Sequence, residues 1–298
     1  MNALDFATSK YLRRARITAW RATEGRYFDD APSANGVEIT DLKIEIEVKL
    51  TDKKEPNTCE LTIYNLAQTT RDFLTESPLI VRVEAGHAND ALHHVFVGDL
   101  RFGDSELNGT EWVTTLKIAD GDRVYRQARI NQSFVAGTTY LDALRKVAET
   151  MQLSLPVMLQ NDVALRAQYA GGASFATQAQ EALTQILNPL GYTWSLQQGR
   201  LQILKYDQVT QNQAVEISAA TGMIGSPQMK YPEKQPKRGK KKVAELSVTT
   251  LFDARLKPGG KVYVVSRHHT GLFKIKTVKH KLNTHDGDFS SEIEAVAL

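Results

Sequence analysis

Seven histidines offer the first opening for chemistry, and four of them stand as adjacent pairs, His93-His94 and His268-His269. Imidazole nitrogens ligate transition metals, but neighbouring side chains on a strand point to opposite faces, so an adjacent pair is poorly placed to chelate one ion. No acidic or cysteine ligand accompanies either pair at a recognised spacing, and His280 and His285, which flank a turn, are no better supplied. The expectation is surface or edge histidines, with no metal and no cofactor. Two acidic pairs, Asp99 with Asp104 and Asp120 with Asp122, have the residue types for general acid and base work. Asp near Gly stabilises turns by bonding adjacent backbone, so these pairs read as turn residues instead. Nucleophile elbows, zinc-protease helices, phosphate loops, dinucleotide fingerprints, paired-cysteine sites and EF-hand loops are all missing from the sequence. These residues predict a chain that is not an enzyme.

Charge is patterned in two places. From Leu42 to Leu50 every second residue is aliphatic and every intervening one charged. Lys43, Glu45, Glu47 and Lys49 therefore share the face turned away from a core, where they are candidate partner-binding residues at a subunit contact or a lumen. The second place is the run containing Lys237, Arg238, Lys240, Lys241 and Lys242. Such a run attracts phosphates or an acidic protein surface. Nucleic-acid readers interleave aromatic residues for stacking, and here only Tyr231 stands near, so the run reads as a solvated loop or an assembly contact. A total of 37 basic against 34 acidic residues, a formal net charge of +3, is too even for a dedicated nucleic-acid reader, and no sequence-specific nucleic acid is expected as a partner.

The elements that would position these groups are mostly strands. Leu42–Leu50 and Cys59–Tyr64 alternate on either side of turn residues Asp52, Pro56 and Asn57 and predict an antiparallel hairpin. Alternating runs follow at 79–85, 93–100 and 112–118, and again at 243–251, 261–266, 272–282 and 289–297. Between Ile275 and Val278 the parity of the apolar residues slips, which predicts a β-bulge. In mid-chain the period changes. Leu141, Leu144, Val147, Ala148 and Met151 recur at helical spacing behind a capping box from Thr139 to Asp142, and Ala176 to Leu190 predicts a second helix capped by Ser174. Tyr192–Leu196 and Arg200–Leu204 flank a glutamine-glycine turn and predict a hairpin. Trp112 and Trp194 alternate with strand residues in the manner of core or sheet packing, which argues against a sugar-binding platform.

The length of 298 residues calls for at least two cores, since single cores stop growing at roughly 250–300 residues. The predicted fold class is α+β, mainly β: an N-terminal β-barrel over residues 1–130, a small α+β domain over 131–210, and a C-terminal β-barrel over 211–298 with a basic loop near 232–242. One cysteine, Cys59, excludes an intrachain disulfide and reads as a small buried hydrophobe. A signal-peptide apolar segment and a run of about 18 apolar residues are both missing, so synthesis in the cytoplasm without a membrane span is expected.

The order of these elements resembles a known family. Asn57–Leu66 (NTCELTIYNL) followed by Thr70–Leu74, and the strand Phe96-Val97-Gly98-Asp99-Leu100, resemble the N-terminal barrel of bacteriophage tail baseplate hub proteins similar to the hubs of phages T4 and Mu and to phage late control D. Ser133–Thr139 looks like the family's central domain, and Lys257–Val262, Phe273–His280 and Asp286–Phe289 look like its C-terminal barrel. The basic run at 237–242 departs from that pattern. The resemblance implies two tube-like antiparallel barrels per subunit and a homotrimeric ring that adapts a sixfold tail tube to a threefold central spike or tip while letting DNA pass. It implies the tail tube protein, the spike or tail-tip protein, the tape-measure protein and other baseplate proteins as partners, and a place in the virion tail. A tail-borne cell-wall hydrolase and a receptor- or carbohydrate-binding β module are the competing readings.

Overall fold

The computed structural model describes residues 12–21, 36–76, 78–88, 90–211, 213–231 and 244–298. Its first elements are β1 (Arg13–Arg21), β2 (Val37–Ile39), β3 (Ile44–Thr51), β4 (Thr58–Tyr64), helix α1 (Gln68–Thr75), β5 (Leu79–His87), β6 (His93–Asn108) and β7 (Glu111–Ala119). There follow α2 (Asp122–Gln127), β8 (Arg129–Phe134), α3 (Tyr140–Thr150), β9 (Ala173–Gln178), α4 (Ala179–Leu187), β10 (Tyr192–Gln197) and β11 (Arg200–Lys205). Strands return with β12 (Val215–Ser218), β13 (Met223–Lys230), β14 (Glu245–Leu251), β15 (Lys261–Val265), β16 (Thr270–Asn283) and β17 (Phe289–Ala297). The basic residues Lys237 to Lys242 lie outside the described residues.

Alternation works in β3 as the sequence predicts. Ile44, Ile46, Val48 and Leu50 are all buried, while the residues between them are half-buried or exposed. Full burial of such aliphatic side chains contributes about 1.5–3 kcal/mol each. On one side β3 pairs with β4, placing Val48 opposite Cys59, and on the other with β16, placing Ile46 opposite Leu282. That second pairing is long range, and it carries the sheet from the N-terminal strands into the C-terminal ones. Thirteen strands share the resulting sheet, whose main path runs β13-β14-β17-β16-β3-β4-β7-β6-β5-β1-β2, with β15 on β16 and β12 parallel to β15. One apolar core, from Ala15 and Ile17 to Ile293 and Ala295, lies along this sheet. Among the described residues the path has free ends at β13 and β2 and closes no barrel.

The slip of parity in β16 is a bulge between Ile275 and Thr277. It lets Phe273, Ile275, Val278 and Leu282 all reach the core despite their uneven spacing. Gly98, within β6, answers a different demand: a Cβ there would stand 2.5 Å from the Ala119 carbonyl oxygen. Replacing Gly98 with alanine is therefore expected to lower stability by about 1–3 kcal/mol through overpacking, measured by urea denaturation.

A second core gathers residues between Ile130 and Ile203. In α3, Leu141, Leu144, Val147 and Ala148 face it, and Thr139 caps the helix by accepting the Asp142 backbone N–H at 3.0 Å. The next helix begins later than its periodicity predicts. Ser174 is not a cap, because residues Ala173–Gln178 pair with β8 as β9, and α4 starts only at Ala179. Ladder pairing with a distant strand occupies the backbone groups that a first helical turn would need. The β10–β11 hairpin forms as predicted, with Trp194 opposite Ile203.

Candidate assembly surfaces

The charged face of β3 lies in the middle of the sheet, with both strand edges occupied by β4 and β16. Its side chains are largely paired within the chain. Lys279 Nζ stands 2.6 Å from Glu47 Oε1, Tyr64 donates its hydroxyl to Glu45 Oε1 at 3.2 Å, and Lys43 Nζ sits 4.5 Å above the Tyr64 ring. On β4 and β7 the row continues with Glu60 and Lys117 at 3.1 Å. Exposed pairs of this kind contribute about 0–1 kcal/mol each, so the row defines a polar outer wall more than it stabilises one. Lys49 is exposed and forms no ion pair among the described residues.

The acids expected in turns divide. Asp99 and Asp104 lie within β6. Asp120, at the end of β7, is buried, and its carboxylate does not bond its own turn. It accepts the backbone N–H groups of Gln198 at 2.6 Å and Gly199 at 2.7 Å, in the tip of the β10–β11 hairpin. Asn57 donates to the Leu196 carbonyl at 2.8 Å and Gln197 donates to the Thr51 carbonyl at 2.7 Å. Burial pushes the Asp120 carboxyl up to about 7 against the lowering effect of those two backbone donors. This cluster fastens the hairpin of the second core to the large sheet, aided by buried Lys274, whose Nζ donates to the Tyr206 carbonyl at 3.1 Å. Residue spacing carried no sign of it, because its members come from four separate stretches of chain.

The histidines also divide. His93 Nε2 lies 3.0 Å from Asp90 Oδ2 at the surface, whereas His268 and His269 occupy the turn between β15 and β16. His280 departs from the surface reading: it is buried, with Nδ1 2.8 Å from Ser291 Oγ and its ring edge-on to Phe252. Desolvation lowers its pKa to about 4. Among the described residues there is no group of three or more His, Cys, Asp or Glu that could hold a metal ion.

Exposed apolar residues gather toward opposite ends of the strands, on β6–β7 and on β15–β16. The long β6–β7 hairpin extends past the core and turns at Gly109-Thr110, where Asn108 stands opposite Glu111 and Gly109 has φ +64°. Phe102, Leu107 and Trp112 are exposed on it, with Arg71 stacked 3.7 Å from the Trp112 ring centroid. Trp112 is thus not a core residue, whereas Trp194 is buried at 4%. Glycine at the first central position of a two-residue loop is the type II′ hairpin signal, and Gly109 marks this projection in the sequence. At the other end, exposed Tyr263 and Leu272 face each other across β15 and β16, and Leu298 donates its backbone N–H to the Leu272 carbonyl at 3.1 Å.

The chain matches the family model for baseplate hub gp41 over residues 30–295 and belongs to that family. Solved structures share its fold at low identity. A tail protein from Neisseria meningitidis MC58 has 13% identity and a TM-score of 0.63, with 96% of this chain and 97% of that chain covered. The 43 kDa tail protein of prophage MuSo2 from Shewanella oneidensis has 9% identity and a TM-score of 0.65, with 95% and 96% covered. The E. coli c3393 protein, a type VI secretion system component with structural similarity to the T4 bacteriophage tail proteins gp27 and gp5, has 11% identity and a TM-score of 0.54 over 87% of this chain and 74% of that one. No curated protein matches the chain in sequence. No helix among the described residues is long and apolar enough to cross a membrane.

Proposed function

We propose that this chain is the structural hub of a phage tail or baseplate, a homotrimeric ring that adapts the sixfold tail tube to the threefold central spike or tip and leaves a passage for DNA. The observation that carries the reading is membership of the baseplate hub family across residues 30–295. The likeness in fold to tail proteins along nearly their whole length supports it. In this reading residues 1–130 and 211–298 build two tubular walls, and 131–210 form a unit inserted between them. The continuous sheet through β3 and β16 would then be the seam where the two walls meet within a subunit. Three copies would present six walls, which is how a threefold assembly meets a sixfold tube.

The role is mechanical and not enzymatic. The tail tube protein and the spike or tip protein are the main partners, with the tape-measure and other baseplate proteins as neighbours. Assembly takes place in the host cytoplasm and the product resides in the virion. Lys43, Glu45, Glu47 and Lys49 would line the lumen or a subunit contact, and the basic run from Lys237 to Lys242 would meet an acidic surface of a neighbour. The native mass of the purified chain, alone and mixed with its tail tube protein, tests the reading.

A further inference from the structure

The geometry points to a head-to-tail contact between copies of this chain, in which the acidic, apolar β6–β7 hairpin of one copy docks on the basic, apolar β15–β16 end of the next; it rests on the ring reading above and specifies its contact. On the outer face of β6, Phe102, Asp104 and Glu106 form one stripe, because Gly103 and Ser105 between them face Leu116 and Thr114 on the buried side. The side chains of Asp104 and Glu106 have no hydrogen-bond or ion-pair partner among the described residues. The outer face of β15 and β16 carries the complement. Tyr263, Leu272 and Leu298 make an exposed apolar row, flanked by Lys261 and by Arg267 and His268 of the adjoining turn. The side chains of Lys261 and Arg267 likewise lack ion-pair partners among the described residues. Glu216, opposite Tyr263 on β12, is an acid within the basic patch, and Arg71 on Trp112 is a base near the acidic one.

One copy cannot bring its own two patches together. Following the antiparallel register from β16 through β3, β4 and β7 to β6 places the β15–β16 turn and the β6–β7 turn at opposite ends of the strands. Between copies both halves are available at once, and two different surfaces of the same chain that complement each other define a heterologous contact, which closes into a ring when the rotation permits. Exposed aromatic and aliphatic groups supply the apolar centre, and the unpaired charges set register and partner choice. A foreign partner for the acidic hairpin would leave the matching basic end of the same chain without a counterpart, which is why a second copy is the occupant.

The test is a charge swap. Asp104→Lys with Glu106→Lys, and separately Lys261→Glu with Arg267→Glu, are each expected to weaken self-association at least about tenfold in sedimentation equilibrium at low salt. The chain carrying all four changes should recover it, because the pairs are then reversed and restored. Thermal melts of each variant confirm folding; Asp104, Glu106 and Arg267 are exposed and Lys261 is half-buried. Reversed pairs that associate as the wild type does, or a fourfold variant that stays as dissociated as the twofold ones, overturn the contact while leaving the ring reading intact. A wild-type chain that remains monomeric throughout overturns the ring and the contact together.

Discussion

Replacement of Asp120 by alanine is expected to lower the unfolding free energy by about 2–4 kcal/mol at pH 5, the cost of stripping two backbone donors of their shared acceptor. The change removes the acceptor of the Gln198 and Gly199 backbone N–H groups and leaves both donors without it. An unsatisfied buried donor costs about 1–3 kcal/mol, so two of them account for most of the effect. Amide hydrogen exchange should show protection lost first at Gln198 and Gly199, followed by the rest of the β10–β11 hairpin. The dependence on pH has a definite sign. Burial raises the folded-state pKa of Asp120 from 3.8 to about 7, so its contribution is full below the unfolded value and is lost as the pH rises through about 7. The difference between wild type and Asp120→Ala should therefore be larger at pH 5 than at pH 8. A difference that is flat or grows with pH would show that the carboxylate stays ionised throughout.

His280 predicts the second large effect, and with the opposite sign. Its folded-state pKa falls from 6.5 to about 4 because the charged imidazolium would lose its water inside the core. The stability it contributes is present above pH 6.5 and is lost as the pH drops toward 4, amounting to about 3 kcal/mol at one pKa unit per 1.36 kcal/mol. The groups that face it are Ser291, Phe252, Asp253 and Lys257. His280→Leu should lose about 1 kcal/mol at pH 7 through the missing bond to Ser291 and flatten the acid limb of the stability curve. Chemical denaturation of the two proteins between pH 4 and pH 7 measures it. Parallel acid limbs would exclude His280 as the sensitive group.

Strand positions were the most legible part of this chain, and for a physical reason. In β3 and β4 each residue's exposure follows from its parity, and the residues alternate apolar and polar without interruption. The bulge in β16 was equally readable, because apolar residues that change parity within one strand can share a core only if an extra residue is inserted in the ladder. Local signals failed where a distant partner decided the outcome. Ser174 and Ala176 read as the cap and first apolar position of a helix, yet β8 pairs with both as part of a strand. The joining of β3 to β16 depends on residues more than two hundred apart, and periodicity says nothing about which strand becomes whose neighbour.

The site was legible in part. Alternation put Lys43, Glu45, Glu47 and Lys49 on one outer face, but it could not show that Lys279 pairs with Glu47 and Tyr64 with Glu45 inside the same chain. Turn chemistry misread Asp120, because a carboxylate beside glycine has the same sequence signature whether it bonds its own backbone or a hairpin far along the chain. The projecting part of β6–β7 was hidden by its composition: Arg101–Glu111 has no apolar alternation, and only the turn glycine Gly109 betrays it.

The proposed ring of three copies joined to a tail tube can be weighed by native mass spectrometry of the chain mixed with its tail tube protein. A discrete species with three copies of the chain bound to six copies of the tube protein is expected. A chain that remains a monomer in that mixture, with no species containing both proteins, would contradict it.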